Sequence, residues 1–99
     1  SEDELFRVLK DSQASILHQY VRSFRHYGIA LKFSDEALRL IAMQAYEQKT
    51  GARALVRVCE SLLRDFKYEL PETSFKATLE VTPEMVINPK GFLQYLLGK

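Results

Sequence analysis

Apolar residues recur at spacings of three and four over about the first two thirds of the chain, which predicts four amphipathic helices. The first begins at the capping box Ser1–Glu4, and the second spans about Ser12 to Tyr27, with Gly28 as its expected C-terminal cap. The apolar positions of these two helices are Leu5, Val8 and Leu9, and then Ile16, Leu17, Tyr20, Val21 and Phe24.

The third helix is expected to start after Ser34, because serine accepts well from free backbone N–H groups, and to end near Thr50–Gly51. The fourth helix follows at once and ends at Leu70–Pro71, where proline removes a backbone donor. Their apolar stripes are Leu38, Ile41, Ala42 and Ala45, and then Leu55, Cys59, Leu62 and Phe66.

The segments Ile29–Phe33 and Phe75–Val81 alternate apolar and polar residues, which predicts two half-buried strands. Pro83 suits the start of a single helical turn, and 88–91 is expected to be a loop. Phe92–Leu97 has no clear period, and we expect a third strand there, because two strands alone make a marginal sheet. The predicted fold class is α+β, with about four helices packed against a two- or three-stranded sheet.

Composition limits the range of functions. Ninety-nine residues at 46% hydrophobic content suit one small domain over 1–99. The absence of an initiator methionine suggests a domain excised from a longer chain. A net charge of +1 gives no footprint for nucleic acid or anionic lipid. A single cysteine suits a reducing compartment, and no apolar run reaches the roughly 20 residues that a membrane helix needs. We therefore expect a cytoplasmic location and no membrane contact.

Few residues suggest catalysis or metal binding. The phosphate-binding G-x-x-x-x-G-K-[ST] motif is absent. His18 and His26 are eight residues apart, too far for joint metal ligation within one helix, and Cys59 lies on an apolar stripe. We expect no catalytic residue and no metal site. Arg22, Arg25 and His26 form a basic helix face that either is solvated or contacts a partner.

Arg53 is the unusual residue. It lies in KTGAR, residues 49–53, within the expected first turn of the fourth helix. A helix start bears about half a positive charge and free N–H groups, so it favours anions and disfavours arginine. An arginine beside such N–H groups also adds a planar donor fork that suits phosphate oxygens. Residue chemistry alone leaves two readings open: a solvated or ion-paired arginine, and a phosphate contact.

Several motifs in combination resemble the C-terminal small domain of Clp-type AAA+ ATPases of the ClpX kind. The matching stretches are SEDELFRVLK, ILHQYVRSF, GIALKFSDEALRLIA, KTGARALVRV and LLRDFKYELP. They cover nearly the whole chain, while the segment from Glu72 to Lys99 matches only loosely. In that family the arginine of G-A-R is the sensor-2 residue, and it corresponds to Arg53 here.

The resemblance implies a function for the whole assembly. ATP or ADP, with Mg²⁺, would be bound mainly by an adjoining AAA+ large domain, and Arg53 would reach the γ-phosphate from the small domain. Leu9 and Ile16 are weaker candidates for apolar contact with the adenine. The small domain would also pack on the neighbouring subunit of a homo-hexamer, which unfolds protein substrates and passes them to a partner peptidase. The isolated domain would be neither an ATPase nor an unfoldase.

Some positions depart from the family pattern. Ser12 replaces a usual proline, Ala54 replaces a glycine, and Val56 replaces a second arginine, with Arg57 one place further on. These changes bear on the hinge side and on a second basic contact, but not on Arg53. The alternative is a free-standing helical interaction module that grips a protein or nucleic acid through its basic helix face, although nucleic acid is the less expected partner.

Overall fold

The computed structural model describes residues 1–11 and 16–99. Within these residues the chain forms six α-helices, one 3₁₀ turn and two strands. In chain order they are α1 Glu2–Asp11, α2 His18–His26, β1 Ala30–Phe33, α3 Asp35–Glu47, α4 Ala52–Glu69, the 3₁₀ turn Leu70–Glu72, β2 Thr78–Val81, α5 Pro83–Ile87 and α6 Pro89–Leu96. The α+β class is confirmed.

Capping residues lie at the predicted ends of three helices: two serine side chains at helix starts and one glycine after a helix end. The Ser34 hydroxyl accepts from the Ala37 amide at 3.0 Å and starts α3. The Ser1 hydroxyl accepts from the Glu4 amide at 3.3 Å. Gly28 follows α2 with φ of 81°, the left-handed conformation that glycine adopts without strain. The predicted start of the second helix at Ser12 lies outside the described residues.

The core lies between α3, α4 and the elements that flank them. All the predicted stripe residues of α3 and α4 are buried, and so are Leu5 and Leu9 of α1. Val8 is the exception in α1, because its side chain is 37% exposed. Within the described residues no polar or charged residue is buried, so packing of apolar groups is the main source of stability.

The two strands form a parallel pair in which Leu31 lies beside Leu79 and Phe33 beside Val81. A parallel pair needs a long crossover, and α3 and α4 form it. Leu79 and Val81 are buried while Thr78 and Glu80 are exposed, as the alternating pattern predicts. The second strand is shorter than predicted, because Phe75 to Ala77 lie outside it.

The expected strand at Phe92–Leu97 and the expected loop at 88–91 are both wrong. The Asn88 side chain accepts from the Gly91 amide at 3.1 Å, and Pro89 occupies the first turn, so these residues start α6. Leu93 is buried, and Leu96 and Leu97 pack against the core at helical spacing. The sheet therefore has two strands in the part of the chain that the structure describes.

An aromatic ring holds α1 against α3. The Arg39 guanidinium lies 3.9 Å from the centroid of the Phe6 ring, and Lys10 lies 5.7 Å from it. Arg39 also bonds Asp3 at 2.7 Å, and Lys10 bonds Asp35 at 2.9 Å. Each ion pair is solvent-exposed and contributes little alone, but together they fix the angle between the two helices.

No described helix combines the length and the apolar character that crossing a lipid bilayer requires.

Replacing Leu93 by alanine tests the assignment of α6. Leu93 is 4% exposed, so Leu93→Ala should lower the free energy of unfolding by about 2–4 kcal/mol. Tyr95→Ala is the matched control, because Tyr95 is 76% exposed on the same helix, and it should change stability by less than about 0.5 kcal/mol. Urea denaturation measures both. Equal losses for the two variants would contradict the helical assignment.

Candidate functional site

Arg53 is the second residue of α4, which begins at Ala52 after the N-cap residue Gly51. Its side chain is exposed. Within residues 1–11 and 16–99 it makes no side-chain hydrogen bond and no ion pair. The guanidinium is therefore available to a group outside this domain.

The packing of α4 sets the outward direction of Arg53. Ala54 and Leu55 are both 0% exposed, as the next two residues of the helix. Successive side chains of an α-helix are separated by about 100°, since the helix has about 3.6 residues per turn. With those two positions directed into the core, Arg53 lies on the opposite side, facing solvent.

The loop before α4 has two residues in left-handed conformations. Lys49 has φ of 57°, and Gly51 has φ of 64° with ψ of −136°. Only glycine adopts the second conformation without substantial strain. A Cβ placed on Gly51 would have no atom within 4 Å, so the space in front of the helix start is open. Glycine is thus required by the backbone path and not by crowding.

Arg57 lies one turn after Arg53, but the loop holds it. Its guanidinium donates to the Gln48 Oε1 at 3.3 and 3.2 Å and to the Thr50 hydroxyl at 2.6 Å. These bonds connect α4 to the residues that leave α3. Arg57 therefore stabilises the junction, while Arg53, one turn earlier, forms no side-chain bond within the described part of the chain. The sequence did not reveal this division, because it depends on the path of the loop.

The electrostatics of the junction favour an anion. The first turn of α4 contains no acidic residue. The N-terminal end of the helix dipole, with its free N–H groups, bears partial positive charge. The side chains of Lys49 and Arg53 are positively charged as well. An open site of this kind fits a phosphate group that approaches from another domain. It supplies donors on one side only, so it does not enclose a nucleotide by itself.

Leu9 and Ile16, the expected adenine contacts, have different environments. Leu9 is 0% exposed, so it offers no surface to a ligand unless α1 moves. Ile16 is half-buried and packs against the edge of the core. The structure gives Ile16 the more accessible side chain of the two, and both assignments stay predictions.

The remaining candidates are brought into no common site. Cys59 is fully buried, and burial raises the pKa of its thiol to about 12, which makes it a poor nucleophile. No cluster of three metal-ligating side chains exists among the described residues. Arg22, Arg25 and His26 are exposed on α2, and the His26 ring packs edge-on against Tyr27 at 5.1 Å.

The chain matches one protein-family model and several individual proteins. The model of the C-terminal, D2-small domain of ClpB protein matches residues 1–71. The ATP-dependent Clp protease ATP-binding subunit ClpX of Borrelia duttonii is 34% identical over 85 residues, or 86% of this chain and 20% of that protein. The same subunit of Treponema denticola is 31% identical over 88 residues, or 89% of this chain and 21% of that protein.

A third relative is the ATP-dependent protease ATPase subunit ClpY of Bacillus velezensis, which is 33% identical over 107 aligned positions, or 96% of this chain and 23% of that protein. The chain thus spans about a fifth of the length of the curated relatives it matches. About four fifths of each relative has no counterpart in these 99 residues.

Substituting Gly51 tests the backbone of the junction. Gly51→Ala should lower the free energy of unfolding by about 1–3 kcal/mol, because alanine is strained at this φ and ψ although space is available. Lys49→Gly is the matched control: it removes a side chain from a left-handed residue and should cost less than about 0.5 kcal/mol or add stability. A harmless Gly51→Ala variant would show that the loop follows another path.

Thiol labelling tests the burial of Cys59. At pH 8 a thiol reagent should modify it only as fast as the chain unfolds, while Ser61→Cys in a Cys59→Ala background should react at once, since Ser61 is exposed on α4. Immediate native-state labelling of Cys59 would contradict its place in the core.

The raised pKa of the Cys59 thiol also makes folding stability depend on pH. Its contribution is complete below pH 9.0, the ordinary pKa of a thiol, and is lost as pH rises from there to about 12.

Proposed function

Because this chain belongs to the ClpB D2-small domain family, the C-terminal small domain of Clp-type AAA+ ATPases, we propose that it is the nucleotide-sensing lid of a ClpX-like protein unfoldase. Arg53 is the sensor residue of this proposal. The observation that supports it most is an exposed guanidinium at an open helix start, with no side-chain bond to residues 1–11 or 16–99, in a helix whose other face is buried.

The geometry suits a lever. Arg53 lies in α4, which packs in the core beside α3, and the Arg57 bonds tie α4 to Gln48 and Thr50 in the loop between the two helices. A force on its guanidinium would therefore turn the domain as a unit. A hydrogen bond to a charged group contributes about 1.5–3 kcal/mol, similar to the coupling free energies of about 1–3 kcal/mol between allosteric sites. One contact with the terminal phosphate is enough to shift the angle between two domains.

The nucleotide would lie mainly on another domain. ATP with Mg²⁺ would supply the phosphate charge that Arg53 binds, and ADP would lack the terminal phosphate. The differential affinity of Arg53 for these two states would couple hydrolysis to domain rotation. Ile16, and Leu9 after a movement of α1, would contact the adenine.

The same proposal includes the assembly. The relatives are named as ATP-binding subunits of the Clp protease. From the family resemblance we infer a homo-hexamer in which this lid also contacts the neighbouring subunit. Protein substrates, a partner peptidase and a cytoplasmic location belong to the proposal too. Family membership favours this function over a free-standing module that binds through Arg22, Arg25 and His26.

Replacing Arg53 in the full-length protein tests its role. Arg53→Ala should change the free energy of unfolding by less than about 0.5 kcal/mol, because the side chain is exposed. ATP-driven unfolding of a model protein substrate should fall about tenfold to a hundredfold, the loss expected from one charge-assisted contact. Both are measured on the same preparation.

Two further variants make the test specific. Arg53→Lys keeps the charge without the planar fork and should recover only part of the activity. Arg64→Ala removes another exposed arginine, later in α4, and this variant should unfold substrate normally. Full activity of Arg53→Ala, or an equal loss in Arg64→Ala, would refute the proposed role.

A further inference from the structure

The outer edge of β1 has unpaired backbone groups. The Ala30 amide donates to the Ala77 carbonyl, and the Ser34 amide donates to the Val81 carbonyl, so these residues face β2. Alternate residues of a strand direct their N–H and C=O groups to opposite sides. The backbone N–H and C=O groups of Leu31 and Phe33 therefore point away from β2. Neither residue is hydrogen bonded through its backbone to another described segment.

A groove lies along this strand. It has a volume of about 370 Å³ and is lined by Gly28 to Lys32 on one side and by Val21 and Arg25 of α2 on the other. Val21 contributes an apolar wall. Consecutive residues of β1 line the groove, as expected for the edge of a strand lying beside a helix.

The charges of the groove are of one sign. Arg25 and Lys32 line it, and no acidic residue does. Neither cation has an ion-pair partner among the described residues, although Glu80 lies beside Lys32 in the strand register. The groove thus combines free backbone donors and acceptors with two unpaired cations.

We propose that this groove binds an extended acidic segment of a partner protein by strand addition. Leu31 in the groove, and Phe33 just beyond its end, would offer their backbone N–H and C=O groups to the added strand. Val21 would pack on an apolar side chain, and Arg25 and Lys32 would bind carboxylates. The outward cations disfavour a second copy of β1 as the occupant, because like charges would then face each other across the new pair.

The size of the edge indicates weak, reversible binding. A four-residue strand is about 13 Å long, whereas a stable protein–protein interface buries at least about 1,200 Å². A short peptide segment matches this length better than a folded dimer interface does. The groove therefore fits a transient partner.

The groove is independent of the Arg53 site. β1 leads into the N-terminus of α3, while α4 starts after its C-terminus, and the thirteen residues of α3 span about 20 Å. Loss of one site should therefore leave the other intact.

Fluorescence anisotropy with the full-length protein tests the inference. The probe is a fluorescein-labelled peptide of alternating valine and glutamate, which should bind saturably. The double variant Arg25→Glu/Lys32→Glu should bind it at least about tenfold more weakly, because two attractions become repulsions. Arg7→Glu/Lys90→Glu makes the same change of net charge at exposed positions elsewhere and should bind normally. Arg53→Ala should also bind normally, whatever its effect on unfolding.

A second peptide separates strand addition from simple charge attraction. The same sequence, methylated at every backbone nitrogen, keeps its carboxylates but cannot donate to β1, and it should not bind saturably. Equal binding of the methylated peptide, equal weakening by both double variants, or no saturable binding at all would each overturn the inference. So would self-association through the same edge that excludes the peptide.

Discussion

Burial of the apolar face of α4 is the constraint on which the rest of the structure depends. The buried apolar residues of α4 recur along the helix, which has about five turns. A helix packed in this way can neither rotate nor shift along its axis without exposing apolar side chains. Ala54 and Leu55 fix the rotation at the first turn. The direction of Arg53 follows from the helical period, so a surface residue has its position set by the core beneath it.

The same packing makes the domain a rigid lever. Arg39 of α3 contacts the Phe6 ring of α1, and Arg57 of α4 bonds the loop that follows α3. A nucleotide contact near the C-terminus of α3 would then also displace the N-terminus of α3, which follows β1. In the proposed ring this rigidity would convert the loss of a phosphate contact into a rotation of the lid.

The sequence was most informative where one face of a long helix is buried. The stripes of α3 and α4, the Ser34 cap and the Gly28 terminus all match the observed structure, because each depends on local chemistry and a long regular period. It was least informative at the C-terminus. Phe92–Leu97 is short and apolar on several sides, so its period is ambiguous, and the decisive signal was the Asn88–Pro89 helix start. The conflict of Arg53 with the helix dipole singled this residue out but left open whether it is solvated, ion-paired or in contact with a phosphate. The bonds of Arg57 depend on a loop conformation that local patterns do not specify.

The central claim is that Arg53 contacts the terminal phosphate of a nucleotide held by another domain. The most direct measurement is a high-resolution reconstruction of the full-length assembly with a non-hydrolysable ATP analogue. The account predicts that the Arg53 guanidinium lies within hydrogen-bond distance, about 2.7–3.2 Å, of a γ-phosphate oxygen in the bound subunits. An Arg53 side chain that faces solvent or pairs with a carboxylate in every nucleotide-bound subunit would contradict it.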